Sequence, residues 1–391
     1  MRGRSSSQSQ LFQYVTVSLE SYVPSDHPIR RIRQVADEAL GGMQRQLTSL
    51  YSKVGRPSIP PEQLLRALLL QSLFTIRSER QLVEQIHYNL LYRWFVGLEL
   101  ESAVWDFSTF SQNRERFIDK DIANRFKDEI LKIAEAHGLL SREHFTVDGT
   151  MLDAAASMKS FVSKESPKES PKDRSVSSRD DLPPAGGGTR GGVSGSSDRT
   201  DPGNPDVNFH GQRRSNTTHS STTDPEARLY KKGRGKEAKL AYLGHVLMEN
   251  RNGLIVESCV TLATGTAERD AAKTMIAQLK KKGRRSRHRI TLGADKGYDT
   301  KDFVDHLRTH QVTPHLAAKK TTTLDQRTLR HPGYGISQRI RKRVEETFGW
   351  MKNCGGLRKL QVRGLPRVGM TFALGACAYN LIRVSNILEA G

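Results

Sequence analysis

The sequence of 391 residues is poor in cysteine, with only Cys259, Cys354 and Cys377, and these are far apart. Three scattered thiols are too few for a disulfide framework or a structural zinc site, and they fit a reducing cytosol. Long apolar runs are also lacking: the most apolar late stretch, residues 369–382, is interrupted by Gly, Tyr and Asn and is shorter than a bilayer span. The first ten residues contain no apolar signal core. We therefore expect a cytoplasmic protein with no membrane role.

Acidic residues are scarce relative to basic ones. The chain has 62 Lys and Arg against 42 Asp and Glu, a formal net charge of +20. Such an excess favours a nucleic-acid partner, because each phosphate contact releases counterions from the polyanion. A ribosomal or merely soluble basic protein would show the same excess. Composition therefore makes nucleic acid the first partner to consider.

The chain up to about residue 138 has apolar positions at helical spacing. One helical segment begins at Pro60, and Ser78–Gln81 is a capping-box pattern that opens another. We predict an all-α N-terminal domain over residues 1–140, containing either a helix-turn-helix that reads a DNA groove or a plain helical bundle.

The stretch of about residues 163–205 is rich in Ser, Gly, Pro and charge, which predicts a disordered insert.

Strands alternate with helices over residues 141–391. HFTVDGT predicts a strand that ends at Asp148, and Asn252-Gly253 predicts the turn of a hairpin. A helix from Ala267, a strand ending at Asp295 and further helices and strands follow. Three antiparallel strands followed by alternating helices and strands predict an α/β domain with a mixed sheet and flanking helices.

Asp148 and Asp295 each follow an apolar strand and precede a turn of small residues. Functional groups in α/β sheets collect beyond the carboxyl ends of strands, so we expect these two carboxylates to lie together. With a third carboxylate from a helix they would form an oxygen cage suited to Mg²⁺ or Mn²⁺. The alternative for either Asp alone is a simple turn. For both together, in so basic a chain, we favour the metal site.

The stretch Arg339–Lys352 offers the third carboxylate. Continuous helical spacing puts Arg341, Glu345 and Lys352 on one stripe. The stripe beside it is apolar, should be buried, and consists of Val344, Phe348 and Met351. Glu346 lies about 100° further round, towards water. Glu345 is therefore the better metal ligand, and Arg341 and Lys352 have the strongest claim to DNA phosphates.

Three blocks, TVDGT, LGADKGYD and RKRVEETFGWMK, resemble the acidic blocks of the DDE transposases of bacterial insertion sequences, in the group called family five. THSSTTDPEARLYKKG, KLAYLGHVLMENRNGL and GGLRKLQVRGLPRV resemble the same family, so the likeness spans nearly the whole chain. It implies a ribonuclease-H-like core in residues 141–391, preceded by a helical domain that binds terminal inverted repeats. The family's third block has Tyr, Arg, Glu and Lys at fixed spacing. Arg341, Glu345 and Lys352 match three of these, but Gln338 stands at the Tyr position.

The resemblance implies a transposase that binds double-stranded DNA at terminal inverted repeats, cuts it with metal-dependent chemistry and joins the freed ends to target DNA. Asp148, Asp295 and Glu345 would be catalytic and would hold two Mg²⁺ or Mn²⁺ ions, with Arg341 and Lys352 on the DNA. A homodimer on DNA and a bacterial, nucleoid-associated location are further expectations. Two alternatives stay open: a ribonuclease-H-like nuclease that does not join strands, and a DNA-binding regulator with an idle metal site.

Overall fold

The computed structural model describes residues 18–390, except 53, 55–57, 165–206, 210–211, 234 and 283–288. The predicted insert at about 163–205 therefore lies almost wholly outside the described residues. The described chain begins with helices α1 (Leu19–Tyr22), α2 (Pro28–Gly42), α3 (Gln44–Thr48), α4 (Pro61–Leu73), α5 (Glu79–Tyr88), α6 (Leu90–Val96), α7 (Ser108–Asp119) and α8 (Ile122–Ala136).

Strands and helices then alternate. The strands are β1 (His144–Asp153), β2 (Phe161–Ser163), β3 (Val207–Phe209), β4 (Gln212–Arg214), β5 (His219–Ser221), β6 (Arg228–Tyr230), β7 (Lys239–Glu249), β8 (Ile255–Leu262), β9 (Ile290–Ala294) and β10 (Val312–Leu316). The helices are α9 (Ala267–Lys282), α10 (Lys301–Thr309), α11 (Gln326–Arg330), α12 (Pro332–Ile340), α13 (Arg343–Asn353) and α14 (Leu365–Ala390).

Two of the early helices, α5 and α6, begin directly after capping residues. Helix α5 follows Ser78, whose hydroxyl accepts a hydrogen bond from the Gln81 amide at 3.1 Å. The segment after Ser78 is nevertheless two helices, because Asn89 caps α6 by accepting from the Leu91 amide at 2.9 Å. Local capping chemistry thus sets both the start and the interruption of this segment.

The central sheet is mixed and has the strand order β8–β7–β1–β9–β10. Strands β1, β7 and β8 are antiparallel neighbours, and β9 and β10 run parallel to β1. Strands β7 and β8 form the predicted hairpin, and Gly253 in its turn has φ of +73°, a conformation that favours glycine. This order and polarity are ribonuclease-H-like, so the predicted mixed sheet with flanking helices is confirmed. Strand β6 pairs with the start of β7, while β2–β5 and β3–β4 form two small sheets.

Strand β1 does not end at Asp148, and that prediction was wrong. β7 pairs with it as far as Asp153, which holds the strand extended for five residues beyond Asp148. On the other edge, β9 pairs with β1 only over residues 144–146. Asp148 therefore lies in mid-strand, just beyond the point where the carboxyl end of β9 leaves its neighbour.

Helices cover both faces of the sheet. Successive side chains of a strand point to opposite faces. Phe145 and Val147 of β1 pack in one core with residues of α9 and α10. Leu152 packs in a second core with residues of α13 and α14. Asp148, four residues before Leu152, therefore points to the face covered by α13 and α14.

The late apolar run forms most of α14, a helix of 26 residues. Cys377 and Leu381 pack with the early helices, whereas Phe372 and Ala376 pack against the sheet. A helix that is buried on two sides needs apolar residues all round, which explains its unpatterned composition. The predicted boundary near residue 140 falls in the loop before β1, but α14 completes the core of the helices that precede it.

An ion pair also joins the early helices to the sheet. Lys127 of α8 is fully buried, and its Nζ lies 3.6 Å from a carboxylate oxygen of Glu257 in β8. The same Nζ is 3.2 Å from the Ser258 hydroxyl.

Among the described helices, none is long and apolar enough to cross a membrane.

Candidate active site

The structure brings Asp148 and Asp295 to neighbouring parallel strands, β1 and β9. Asp148 is half-buried in β1, and its Oδ1 accepts a hydrogen bond from the Gly149 amide at 2.8 Å. Asp295 is the first residue after β9, and its Oδ1 accepts from the Gly297 amide at 2.6 Å, which caps a 3₁₀ turn. The carboxyl end of β9 thus places Asp295 beside the unpaired edge of β1.

Burial and neighbouring charges both act on Asp148. Burial raises the pKa of Asp148 to about 6; the Gly149 amide opposes this shift, Asp295 adds to it, and the positive charges of Lys232 and Arg341 oppose it. Two half-buried carboxylates that repel each other are oxygen donors of the kind that Mg²⁺ and Mn²⁺ take. The pair therefore fits a divalent metal ion.

Arg341 is held beside the acidic pair by the chain around it. Its Nε donates to Gln338 Oε1 at 2.9 Å, and Gln338 Nε2 donates to the carbonyl oxygen of His315 in β10 at 2.6 Å. Gln338 is the residue at the position where the resembled family has tyrosine. It ties Arg341 to the sheet, and the Arg341 charge acts on Asp148.

The continuous helix predicted over Arg339–Lys352 was wrong, because the structure breaks it at Arg341 and Lys342. Helix α12 ends at Ile340 and α13 begins at Arg343. Across the break the amides of Val344 and Glu345 bond three residues back, to the carbonyls of Arg341 and Lys342, at 3.3 and 3.0 Å. Arg341 therefore does not share a helix with Glu345.

Within α13 the predicted apolar stripe is confirmed: Val344, Phe348 and Met351 are 3%, 7% and 1% exposed. They pack on the sheet face to which Asp148 points. Glu345 and Glu346 are both exposed, so burial does not distinguish between them. Among the described residues, no group of three or more His, Cys, Asp or Glu side chains is arranged to hold a metal ion. The structure thus unites the two aspartates and leaves Glu345 on the helix that covers their face.

Lys352 lies in a group of basic side chains that includes Lys232, whose charge also acts on Asp148. Burial and then the charge of Lys232 lower the pKa of Lys352, Asp153 opposes the shift, and Arg358 adds to it. Lys232, Lys352 and Arg358 are called the basic cluster below. Asp153 itself is 3.1 Å from Lys239 and is engaged in that ion pair.

Sequence reasoning missed Glu268 and Lys232. Burial, followed by the negative charges of Asp148 and Asp295, raises the pKa of Glu268 to about 7. Acids in the first turn of a helix are expected for the helix dipole alone, so Glu268 in AERD gave no separate signal. Lys232 follows β6 in the block RLYKKG, where it is one of two adjacent lysines.

Several solved structures resemble the chain loosely. The piggyBac transposase synaptic complex with hairpin DNA is 8% identical, with a TM-score of 0.39 over 93% of this chain and 76% of that one. The Mos1 mariner paired-end complex with Mn is 11% identical, with a TM-score of 0.21 over 95% of this chain and 90% of that one. At these scores the fold assignment stands on the strand order alone. No curated protein matches the chain.

Two family models match in sequence. Residues 17–116 match a transposase domain (DUF772), and residues 213–381 match a transposase DDE domain. Asp295 and Glu345 fall in the second range, whereas Asp148 falls between the two. Together the matches cover well over half of the chain, which belongs to the DDE transposases and has the pair of domains typical of those of bacterial insertion sequences.

Proposed function

We propose that this protein binds the terminal inverted repeats of an insertion sequence, cuts the DNA there and joins the freed 3′-hydroxyls to target DNA. The observation that carries the proposal is the meeting of Asp148 and Asp295 at the carboxyl end of β9, beside Arg341 and Lys232. Carboxylates next to basic side chains suit a phosphodiester held against a metal ion. The family supports transposition as the setting.

Asp148, Asp295 and Glu345 are the residues proposed to hold two Mg²⁺ or Mn²⁺ ions. Such ions activate a water or a 3′-hydroxyl and stabilise the leaving oxygen of a phosphodiester. Asp148 and Asp295 are already adjacent, and Glu345 comes from the helix over the same face of the sheet. The three carboxylates would act as catalytic residues through the ions they hold.

Arg341 and the basic cluster are proposed to hold the DNA backbone at the cleavage point. Arg341 offers a guanidinium fixed by Gln338, and Lys352 offers a point charge on α13. A protein with two DNA ends to bring together is best served by a homodimer on DNA. Its place of action would be the nucleoid in the bacterial cytoplasm.

Cleavage of a supercoiled plasmid bearing the terminal repeats tests the proposal. Wild type should cleave with Mg²⁺ or Mn²⁺ and stop with a chelator. Asp148→Asn and Asp295→Asn should each lose at least about a hundredfold in rate, since an amide keeps the shape but loses the ligand charge. Both variants should still retard repeat DNA in gels.

Asp302→Asn is the matched control, because Asp302 is exposed and paired with Lys273. It should cleave like wild type. Full activity in Asp295→Asn would remove that residue from the site. Cut ends without strand-transfer products would favour a nuclease that does not join DNA.

A further inference from the structure

The side chain of Glu268 packs against the sheet at Gly149, where a residue with a Cβ would crowd it. It lies in the first turn of α9, on the face of the sheet opposite α13. A Cβ placed on Gly149 would meet Glu268 Cγ and Oε1 at 3.1 Å. The carboxylate therefore rests on the β1 backbone at the residue that follows Asp148, and the side chain that would displace it is missing there.

The surroundings of the Glu268 carboxylate among the described residues do not explain why this acid is half-buried. It is half-buried, and its pKa is set by burial and by neighbouring charges rather than by a hydrogen bond. Asp148 and Asp295, both negative, are its strongest charged neighbours, and the positive charges of Lys232 and Arg269 act on it less. Asp270, two residues on, serves the helix dipole from an exposed position. Burying a third acid beside two others is unfavourable unless a cation joins them.

A buried polar atom without a partner borders the same place. His245 is 0% exposed; its Nε2 is 2.8 Å from the Thr261 hydroxyl, but its Nδ1 has no partner within the described part of the chain. That Nδ1 lies 3.0 Å from the point where a Gly149 Cβ would be, the point that Glu268 also approaches. Buried polar atoms are seldom left unpaired, so this nitrogen marks a place where a ligand and its hydration shell would provide a partner.

Tyr298 adds a second such atom. Its side chain is fully buried and its hydroxyl has no partner among the described residues. Burial, followed by the charges of Glu268, Asp148 and Asp295, raises its pKa. Glu268, Asp148 and Asp295 thus act on one another and on Tyr298, but among the described residues they are not grouped closely enough to form a metal cage, so a cation would have to draw them together.

We propose that Glu268 is a fourth carboxylate of the divalent-metal centre and enters it from the α9 side of the sheet, opposite Glu345. The inference rests on the proposed function, since it adds a ligand to the same centre. In that centre one acid from each of two helices, Glu345 of α13 and Glu268 of α9, would join Asp148 and Asp295. His245 borders the Glu268 carboxylate at Gly149.

Titration of the full-length protein with Mn²⁺ by calorimetry, without DNA, tests the role of Glu268 apart from activity. Glu268→Gln should weaken Mn²⁺ binding by about 10- to 100-fold. Asp270→Asn is the matched control, with the same loss of charge from the same helical turn, and should bind like wild type. Glu268→Asp keeps the charge on a shorter side chain and should fall between Glu268→Gln and wild type.

Melting in chelator gives a second readout. Glu268→Gln should melt at a higher temperature than wild type in chelator, and Mn²⁺ should raise its melting temperature by less. If Glu268→Gln does not fold, the affinity of Glu268→Asp decides, since wild-type affinity there would overturn the proposal.

The outcomes distinguish the role of Glu268 from the existence of the proposed metal centre. Wild-type Mn²⁺ affinity in Glu268→Gln, with binding lost in Asp148→Asn and Asp295→Asn, would overturn the role of Glu268 and leave the metal centre standing. Failure of wild type itself to bind Mn²⁺ would overturn both.

Discussion

At the scale of single residues, burial as well as neighbouring charge sets the pKa of Asp148. Asp148 sits in a strand under a helix-covered face, where a carboxylate is poorly solvated. Asp295 faces it from the end of β9, and Lys232 and Arg341 offset part of the repulsion. The acids are therefore held in place by strand pairing that does not depend on a metal ion.

The contribution of Asp148 to stability without metal should fall as the pH rises. A carboxyl whose pKa is higher in the folded chain binds its proton more tightly there. Its contribution to stability is therefore complete below the unfolded pKa, near 3.8 for Asp148, and is lost as the pH rises through about 6. We expect a loss of about 2–3 kcal/mol in unfolding free energy from this residue.

Urea unfolding in chelator at a series of pH values measures this loss as the difference between wild type and Asp148→Asn. The difference isolates Asp148 from His245, whose pKa burial lowers to about 4 and whose contribution has the opposite sign. Parallel pH profiles for the two proteins would contradict the prediction.

At the scale of elements, the sequence predicts where β9 ends but not where β1 ends. Asp295 follows β9 as its apolar pattern predicts. The end of β1 is set by its pairing with β7, a partner about a hundred residues away, so no local pattern could place Asp148 in mid-strand. Glu268 was missed for a related reason, since only tertiary packing separates it from Asp270.

The break between α12 and α13 has a tertiary cause too. The stretch RIRKRVEE contains no proline or glycine, so the sequence predicts one helix. In the structure α12 is fixed to β10 through Gln338 and Ser337, while α13 packs on another part of the sheet through Val344. One straight helix cannot meet both surfaces, and the chain bends between them at Arg341 and Lys342.

The register of α13 is tested by Glu345→Gln against Glu346→Gln. Both residues are exposed, and exposed charges contribute only about 0–1 kcal/mol, so both variants should melt near wild type. We expect Glu345→Gln to lose at least about a hundredfold in plasmid cleavage, because a ligand charge is gone. Glu346→Gln should stay within a few-fold of wild type. Loss at Glu346 with Glu345 spared would move the metal ligand by one residue.

At the scale of the whole molecule, helix α14 unites the two regions that the sequence divides near residue 140. It lies between the early helices and the sheet, with Cys377 and Leu381 on one side and Phe372 on the other. Lys127 and Glu257 join the same two regions. An all-round apolar run shows that a helix is buried but not which neighbours bury it, so the sequence could not predict this connection.

Residues 1–138 alone should therefore fail to fold cooperatively, because the fragment lacks the apolar side chains that α14 contributes to its core. Joining residues 365–390 to the fragment through a flexible linker should restore a cooperative thermal transition by circular dichroism. The control carries the same linker, followed by a Gly/Ser sequence of the same length in place of residues 365–390. A cooperative transition in the unmodified fragment would show that the early helices form an independent domain.

The position of α14 also bears on how the protein is made. A ribosome that has finished the first eight helices must still synthesise the whole sheet before the helix that completes their core emerges. During that interval the early helices have an uncovered apolar seam, which exposes them to aggregation and to chaperones. A message truncated anywhere before α14 would then yield early helices that lack part of their core. Such products should be degraded rather than accumulate beside the full-length protein.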